Sequence, residues 1–448
     1  MKFDIRTETF TPEHPVFLAG FGARTHKSDG VLDELHVQTV LLEDDAGKRL
    51  LLIAIDALGC DRSFMRGIRQ SLFNAYGIRE DELIVNFSHT HASVFLTGED
   101  GDRRGHYSIG QDHWPEKAED LDFTEDIAFY RGLRDRLLRM TGQCIAGLRE
   151  GELQHAAGTT GIGVYRRVRT EKGTVMAPNY VRAFDRSLHV LELLNGSGKT
   201  EAVLFSCACH PTTMGPDNYR FSAEYPGVAR RYIESLVPGA TAVFIQGCAA
   251  DIKPLQSANG SKFHSCTPDE MRKVGLQLGE EVGGLLQQGS FSSVHGAFVA
   301  SSSDLQIPVL ANPIGYFEHR AADPYTGEYE RKALLRLIEA MRRGAERRDL
   351  EQNVTVWRIG ERFVLAALEH EVANDYAAWL KDRFEAEGLV PVIAAYTNGV
   401  MTYVPTADML RDGGYEAGHY IYCNLAGPLT PNVDRLICSR VVEMAGLR

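Results

Sequence analysis

The sequence predicts an α/β fold, with one large domain in which mixed, largely buried sheets are flanked by helices. Short runs rich in Val, Ile, Leu and Phe alternate along the chain with segments whose apolar residues recur every three or four positions. Such alternation of strand and helix patterns is typical of α/β proteins. No Pro-, Gly- or Ser-rich linker divides the 448 residues, so we expect a single domain over 1–448.

Six apolar runs predict the strands of these sheets. None of them alternates strictly between apolar and polar residues, which is the pattern expected when both faces of a sheet are covered. We therefore expect buried strands rather than strands with one solvated face. In chain order the runs lie at 36–44, 49–58, 82–89, 202–210, 241–249 and 362–370.

Three segments between these strands predict amphipathic helices, because their apolar residues return at intervals of three and four. They lie at 62–77, 125–150 and 271–288. The stretch 97–124 follows neither pattern and includes the sequence GEDGDRRGHYSIGQDHWPEKAEDLDF. Long irregular loops in compact domains are often lids over binding sites, so a lid and a solvated insertion both stay open for it.

The composition excludes several classes of partner. With 48 basic and 60 acidic residues the chain has a formal net charge of −12, and it shows no basic stripe for nucleic acid or an anionic membrane surface. No apolar run reaches the roughly 18 residues of a membrane span, and the N-terminus lacks the features of a signal peptide. We expect a small-molecule substrate, no nucleic acid and no membrane insertion, and a homo-oligomer stays open.

The eight cysteines are scattered along the chain and form no compact disulfide framework. This usage predicts a reducing compartment, the cytoplasm. Cys207 and Cys209 lie in the apolar run AVLFSCACHP, where a strand sends both side chains to one face. Because a buried thiol behaves as a small hydrophobic group, we expect this pair to pack in the core rather than to bind a metal.

The stretch LIVNFSHTHAS contains two histidines at the end of an apolar strand. The two-residue period of a strand projects His89 and His91 toward the same side, and strand ends that open into loops are where α/β folds bind ligands. The pair could converge on one metal ion, or it could be a hydrogen-bonded filler. The spacing also leaves open whether both histidines bind the ion or one supports the other.

Three more candidate donors follow apolar segments further along the chain. His210 ends the run SCACHP, Glu371 ends the run LAALEHE, and Tyr403 lies in TNGVMTYVPT. Each has a structural alternative: a loop cap for the histidine, a first-turn carboxylate of the next helix for the glutamate, and a core position with a satisfied hydroxyl for the tyrosine.

Seven motifs together resemble the neutral/alkaline non-lysosomal ceramidase family, specifically its catalytic N-terminal domain and the short bacterial members. The motifs occur in the family's order over residues 17–416. They read AGFGARTH with DGVLDELHVQTVLLED, IAIDALG, NFSHTHAS, SCACHPTTMG with SAEYPG, FIQGCAADIKP, EHEVANDYA, and YTNGVMTYVPTADMLRDGGYE.

The resemblance implies one catalytic zinc ion, bound by two His, one Glu and one Tyr, in an enzyme that cleaves an amide bond. Matched motif by motif, the implied zinc ligands are His89, His210, Glu371 and Tyr403. Imidazoles and a carboxylate are donors that suit Zn²⁺. The resemblance further implies a hydrogen-bonding role at the reacting centre for His91, an oxyanion-side role for Tyr415, and a place at the site for Arg166.

Two departures from the family pattern concern the substrate. Lys253 stands where the family has a serine implicated in catalysis, and Glu369-His370 replaces Pro-Gly before the implied ligand. A lysine that points inward would bring positive charge toward the metal and favour an anionic substrate, whereas one that follows the pocket wall would meet solvent. Both orientations stay open.

The sequence therefore predicts a zinc-dependent hydrolase that cleaves an amide or ester bond in a polar small molecule. Two alternatives stay open. One is a ligand-binding protein with a decayed site, suggested by the lost serine. The other is a two-metal phosphoesterase that would add the carboxylates of Asp56 and Asp251 to the histidine pair.

Overall fold

Two β-sheets and the helices that cover them make up most of the protein. The structure is a computed structural model that describes residues 1–97 and 124–447. The irregular stretch 97–124, for which a lid or an insertion is predicted, lies outside the described residues except at its two ends.

The described strands are numbered in chain order. They are β1 (Lys2–Thr9), β2 (Gly30–Val31), β3 (His36–Glu43), β4 (Arg49–Ile55), β5 (Gly59–Cys60), β6 (Leu83–Phe87), β7 (Phe95–Leu96), β8 (Arg149–Thr159), β9 (Gly163–Thr170), β10 (Gly173–Asn179), β11 (Ser187–Asn195), β12 (Thr200–Cys207), β13 (Arg220–Phe221), β14 (Thr241–Gln246), β15 (Ile252–Pro254), β16 (Ala258–Asn259), β17 (Lys262–Phe263), β18 (Ser292–Val294), β19 (Phe298–Pro308), β20 (Asp349–Ile359), β21 (Phe363–Leu368), β22 (Glu371–Val372), β23 (Val390–Ala394) and β24 (Tyr403–Val404).

The described α-helices are numbered in the same way. They are α1 (Arg62–Tyr76), α2 (Thr124–Gly147), α3 (Glu224–Leu236), α4 (Pro268–Gln288), α5 (Ile314–Ala322), α6 (Glu328–Arg342), α7 (Asn374–Glu385), α8 (Ala407–Asp412), α9 (Tyr415–Gly418) and α10 (Val433–Met444). Every strand and helix predicted from the sequence is present, with ends that differ by a few residues.

The larger sheet has nine strands and is mixed. Its order is β14-β12-β11-β8-β1-β3-β4-β6, with β18 paired to β8. The inner neighbours are antiparallel, whereas the outermost pairs β12/β14 and β4/β6 are parallel. Each parallel pair is connected through a helix, α3 or α1, as a parallel connection requires.

The smaller sheet has the order β19-β20-β21-β23. Its first three strands are antiparallel, and its last pair, β21/β23, is parallel and is connected through α7. Three strand–helix–strand units therefore end at sheet edges. The polar residues singled out in the sequence follow the strands of these units.

The two sheets pack face to face with helices on both outer sides. Alternate residues of β4 face opposite layers: Leu52 belongs to an apolar cluster shared with Leu365 of the smaller sheet, whereas Ile53 packs with Ile68 of α1. The predicted fold class is thus confirmed, as α/β with mixed, buried sheets flanked by helices. None of the helices in the described ranges is both long and apolar enough to cross a membrane.

Local signals fix the helix ends. The Asp61 side chain accepts a hydrogen bond of 2.8 Å from the backbone N–H of Phe64 at the start of α1, and Gly77 ends this helix at φ 69°. At the start of α4, Thr267 and Glu270 form a reciprocal capping box.

Candidate active site

One buried asparagine ties the ends of strands from both sheets. The Asn86 side chain donates to the carbonyl oxygens of Gln246 (3.3 Å) and Ala395 (2.8 Å), and its Oδ1 accepts from the Gln246 N–H at 2.9 Å. These residues belong to or directly follow β6, β14 and β23. The carboxyl ends of three edge strands therefore meet at one place, where the sheets join.

The H-T-H motif lies just beyond β6, in a turn rather than in the strand. The strand ends at Phe87, and His89 has φ 62°, in the left-handed region. The prediction that strand periodicity aligns the two histidines is therefore wrong. Their rings converge nonetheless, because the turn brings Nε2 of His91 to 3.3 Å from Nε2 of His89.

His210 approaches the same point from the larger sheet. It follows β12, and its backbone N–H donates to the carbonyl of Ile252 at 3.0 Å. Its Nε2 lies 3.2 Å from Nε2 of His91. Three imidazoles from two segments distant in sequence are thus brought together, and their Nε2 atoms are the ones that meet.

Backbone carbonyls define the tautomers of two of these rings. Nδ1 of His89 lies 2.5 Å from the carbonyl oxygen of Leu58, and Nδ1 of His210 lies 3.2 Å from that of Ala249. A carbonyl only accepts, so both Nδ1 atoms carry the hydrogen and both Nε2 atoms present lone pairs. Two unprotonated nitrogens whose lone pairs face one another repel, and a cation between them removes this repulsion.

His91 is oriented differently. Within the described ranges its buried Nδ1 has no hydrogen-bond partner. Packing holds the ring instead: Gly20 has φ 94° and lies so close that a Cβ at this position would overlap the imidazole. A glycine is therefore required at position 20.

Glu371 and Tyr403 are direct neighbours on the parallel strand pair β22/β24. Oε2 of Glu371 lies 3.2 Å from Nε2 of His89 and 3.6 Å from Nε2 of His210. The ring centre of Tyr403 lies 5.4 Å from the guanidinium carbon of Arg166. The alternative of a first-turn helix carboxylate for Glu371 is wrong, because α7 begins only at Asn374.

Three of the converging atoms have the spacing that a metal ion requires. Oε2 of Glu371 lies 3.2 Å from Nε2 of His89 and 3.6 Å from Nε2 of His210, and donor atoms around a zinc ion with bonds of about 2.0 to 2.1 Å are roughly 3.3 Å apart in a tetrahedron. The three imidazole nitrogens lie within 4.8 Å of one another, and Glu371 is outside that group. Oε2 of Glu371 is also buried without a hydrogen-bond donor among the described residues, so a cation would satisfy it.

The electrostatics favour the protonation states that bind metals. Burial lowers the pKa values of His91 and His210 well below the ordinary value, which keeps both rings neutral. Burial opposes the ionisation of Glu371, but its interactions with His89 and Tyr403 hold its pKa below the ordinary value. An ionised carboxylate beside the neutral imidazoles of His91 and His210 suits a metal ion.

Arg166 lies between two tyrosines at this site. Its guanidinium carbon is 5.4 Å from the ring centre of Tyr403 and 5.8 Å from that of Tyr415. Its Nε donates to Glu416 at 2.8 Å, whereas its Nη2 is buried without a partner in the described part of the chain. Tyr415, at the start of α9, is 46% exposed and marks the open side of the site.

Lys253 lies on the other flank, half-buried, with its ammonium group turned toward the loop after His210. Its Nζ donates to Thr212 Oγ1 at 3.0 Å and lies 5.4 Å from the ring centre of Phe263. Burial lowers its pKa to about 8, and its charge contributes to the low pKa of His91. Over residues 1–97 and 124–447, no carboxylate lies within 4 Å of Nζ.

Asp56 and Asp251 bind elsewhere. Oδ2 of Asp56 pairs with the guanidinium of the buried Arg230, and Oδ1 of Asp251 accepts from the N–H of Asn374 at 2.8 Å. Among the described residues, neither aspartate belongs to the group of potential metal ligands that the three histidines form, so the structure gives the two-metal alternative no support. Cys207 and Cys209 are buried in an apolar cluster, as predicted.

Two residues of the site escaped the sequence reasoning. The Tyr396 ring lies 4.4 Å from the ring of His89, and its hydroxyl lies 3.4 Å from Nδ1 of His210. His419 lies 4.8 Å, ring to ring, from Tyr403. A cavity of about 40 Å³ is lined by His89, His419, Tyr403 and Glu371. No local pattern marks Tyr396 or His419, since each reaches the site from a turn or a short helix.

This fold and site define a class: two mixed sheets packed face to face, with a histidine-rich candidate metal site where their strand ends meet. Comparison with protein-family models and with curated proteins finds no match. Solved structures do match, and ceramidases are among them. A neutral ceramidase from Pseudomonas aeruginosa superposes with a TM-score of 0.72 at 16% identity, over 99% of this chain and 74% of that one.

A second structure, of a ceramidase complexed with C2, has a TM-score of 0.73 with the same identity and coverage. The resemblance inferred from the seven motifs is thus confirmed for the fold. At this level of identity the match establishes the architecture.

Proposed function

We propose that this protein is a zinc-dependent hydrolase that cleaves an amide or ester bond in a polar small molecule. The observation that carries the proposal is the approach of Oε2 of Glu371 to Nε2 of His89 at 3.2 Å and to Nε2 of His210 at 3.6 Å, with Tyr403 beside Glu371 on the paired strand. The fold shared with the ceramidase structures supports the proposal, since the motifs that resemble that family supply these four residues.

In this proposal zinc is bound by His89, His210, Glu371 and Tyr403. The carbonyls of Leu58 and Ala249 accept hydrogen bonds from Nδ1 of His89 and His210, which orients the Nε2 lone pairs of these two rings toward the ion. When bound, zinc would polarise the scissile carbonyl and lower the pKa of a water molecule toward about 7.

Three further residues would act on the substrate. His91 stands beside the ligands and can hydrogen-bond the reacting carbonyl through Nε2. Tyr415 is on the open side, and the unpartnered Nη2 of Arg166 can donate to an oxygen that gains negative charge. Donors already in place for the developing oxyanion are a large source of rate enhancement.

Lys253 would select the substrate. Its ammonium is half-buried, has no acidic partner within 4 Å among the described residues, and lies near His91. A carboxylate or phosphate on the substrate would offset the cost of burying this charge. We propose a cytoplasmic location, with which the eight thiols, none of them in a disulfide, agree.

The test is hydrolysis of matched pairs of N-acylated compounds, one member with a free carboxylate and one with its methyl amide. We expect turnover of the carboxylate member that a chelator abolishes and added zinc restores, and that His210→Ala lacks. Turnover by protein shown to be metal-free by mass spectrometry would overturn the proposal. Tight binding of these compounds with no turnover in the zinc-loaded protein would support the ligand-binding alternative instead.

A further inference from the structure

A second group of metal-binding atoms lies near Lys253, outside the candidate active site. It consists of His264, Cys266 and Glu270. Sγ of Cys266 is 3.7 Å from Nε2 of His264, and this nitrogen is 4.0 Å from Oε1 of Glu270. All three donor atoms lie within 4.8 Å of one another. The group contains one sulfur, one nitrogen and one oxygen, so it is not a surface cluster of acidic residues.

The backbone holds this group in place through separate contacts. The N–H of His264 donates to Ser257 at 2.9 Å, and the N–H of Cys266 donates to the carbonyl of Thr213 at 3.0 Å. The two oxygens of Glu270 make different contacts. Oε2 accepts from the Thr267 N–H at 2.8 Å in the capping box of α4, and Oε1 faces the His264 imidazole. The cap thus fixes a carboxylate oxygen beside the histidine.

We propose that His264, Cys266 and Glu270 bind one divalent transition-metal ion, with Zn²⁺ as the physiological ion and water in the fourth position. Zinc accepts thiolate, imidazole and carboxylate ligands in tetrahedral sites. The edges of such a site are roughly 3.3 to 3.6 Å, so the distances of 3.7 and 4.0 Å have to shorten by a few tenths of an ångström. The distance from Cys266 to Glu270, which is at most 4.8 Å, has to shorten by no more than about 1.3 Å. His264 and Glu270 can make this movement because their side chains are 40% and 30% exposed.

The ion would fasten the segment 258–267 to the first turn of α4. Phe263 belongs to this segment, and its ring lies 5.4 Å from the ammonium of Lys253. The second ion would therefore stabilise one wall of the substrate pocket without taking part in the reaction. This inference does not depend on the proposed hydrolase function.

Cobalt titration of the purified protein tests the proposal, because a thiolate ligand gives Co²⁺ an intense near-ultraviolet absorption that imidazole and carboxylate ligands do not. We expect one such site per chain in the wild type, none in Cys266→Ser, and one in the matched control Cys438→Ser, whose thiol is half-buried and outside the group. His210→Ala should keep the absorption, because that substitution affects only the other cluster.

Two further measurements keep the test decisive if Cys266→Ser does not fold. Zinc should slow alkylation of Cys266, mapped by peptide mass spectrometry, at least tenfold. Glu270→Gln keeps the capping box but removes a ligand, and it should weaken cobalt binding at least tenfold. Absence of the absorption in the wild type, its persistence in Cys266→Ser, or an alkylation rate that zinc does not change would each overturn the proposal.

Discussion

Tyr403→Phe distinguishes the two sets of four ligands that this site allows. Nε2 of His91 lies 3.3 and 3.2 Å from the Nε2 atoms of His89 and His210, which makes it a candidate for the fourth ligand, whereas the motif resemblance gives that place to the Tyr403 hydroxyl. We expect Tyr403→Phe to lower zinc affinity at least 100-fold, since the loss of groups that merely support ligands already costs 10- to 100-fold. His91→Gln should keep the zinc and lose turnover.

The size of the effect in a thermal melt follows from the chain length. At about 2.1 cal/mol/K per residue, 448 residues give an unfolding entropy of about 0.9 kcal/mol/K. Zinc at 100 times its Kd stabilises the wild type by about 2.7 kcal/mol, or about 3 °C in Tm. At the same zinc concentration a variant with 100-fold weaker binding gains about 0.4 kcal/mol, which is under 1 °C.

The measurement is Tm against zinc concentration, with bound zinc counted by mass spectrometry, and every variant also carries Cys266→Ser so that the second proposed zinc site does not contribute to the shift. Tyr415→Phe is the matched control, because it removes the same hydroxyl from a tyrosine at the open side of the site and should leave the zinc-induced shift unchanged. A wild-type shift in Tyr403→Phe together with a lost shift in His91→Gln would refute the reasoning and make His91 the fourth ligand.

Three further substitutions test other parts of the structure. His370 has φ 73°, in the left-handed region, and its ring hydrogen-bonds the Met401 N–H and the Glu351 carbonyl. Both His370→Gly and His370→Ala lose these bonds, but only alanine keeps the backbone strain, so the glycine variant should be about 1 kcal/mol more stable in urea unfolding. Equal unfolding midpoints would contradict this. Lys253→Ser should raise KM for a carboxylate substrate at least tenfold with unchanged zinc content, and unchanged KM would remove Lys253 from the pocket. Burial lowers the pKa of His155 to about 4, below its unfolded value of about 6.5. The free energy of unfolding should therefore fall as pH falls from about 6.5 toward 4. In urea unfolding at pH 5, the wild type should lose about 2 kcal/mol more of this free energy than His155→Gln does. An equal loss in both proteins would show that His155 does not titrate.

The sequence was sufficient for the fold class because the apolar runs and helical periods are local signals. Pairing of strands is not local: nothing in the run 362–370 indicates that it belongs to a second sheet, whose face packs on Leu52 of the larger one. The three strand–helix–strand units could be predicted as units, but their meeting through Asn86 depends on hydrogen bonds across both sheets.

The site was predictable to the extent that its donors follow apolar strands. His89, His210 and Glu371 were found in this way and the structure brings them together. The reason given for the alignment of His89 with His91 failed, because a left-handed residue, not strand geometry, sets it. Tyr396 and His419 could not be found, since only the folded chain brings their rings to those of His89 and Tyr403.

The hydrogen bonds of Asn86 that join the two sheets have a consequence for how the chain folds. The residues proposed to bind zinc come from segments that become neighbours only after the two sheets have docked, so a partly folded chain with one sheet formed has no complete site. Metal binding then adds its free energy to the docking step and not to the formation of either sheet. Without zinc, the junction between the sheets would lose this stabilisation and would open more often, which would expose the apolar faces now buried between the sheets to aggregation and proteolysis.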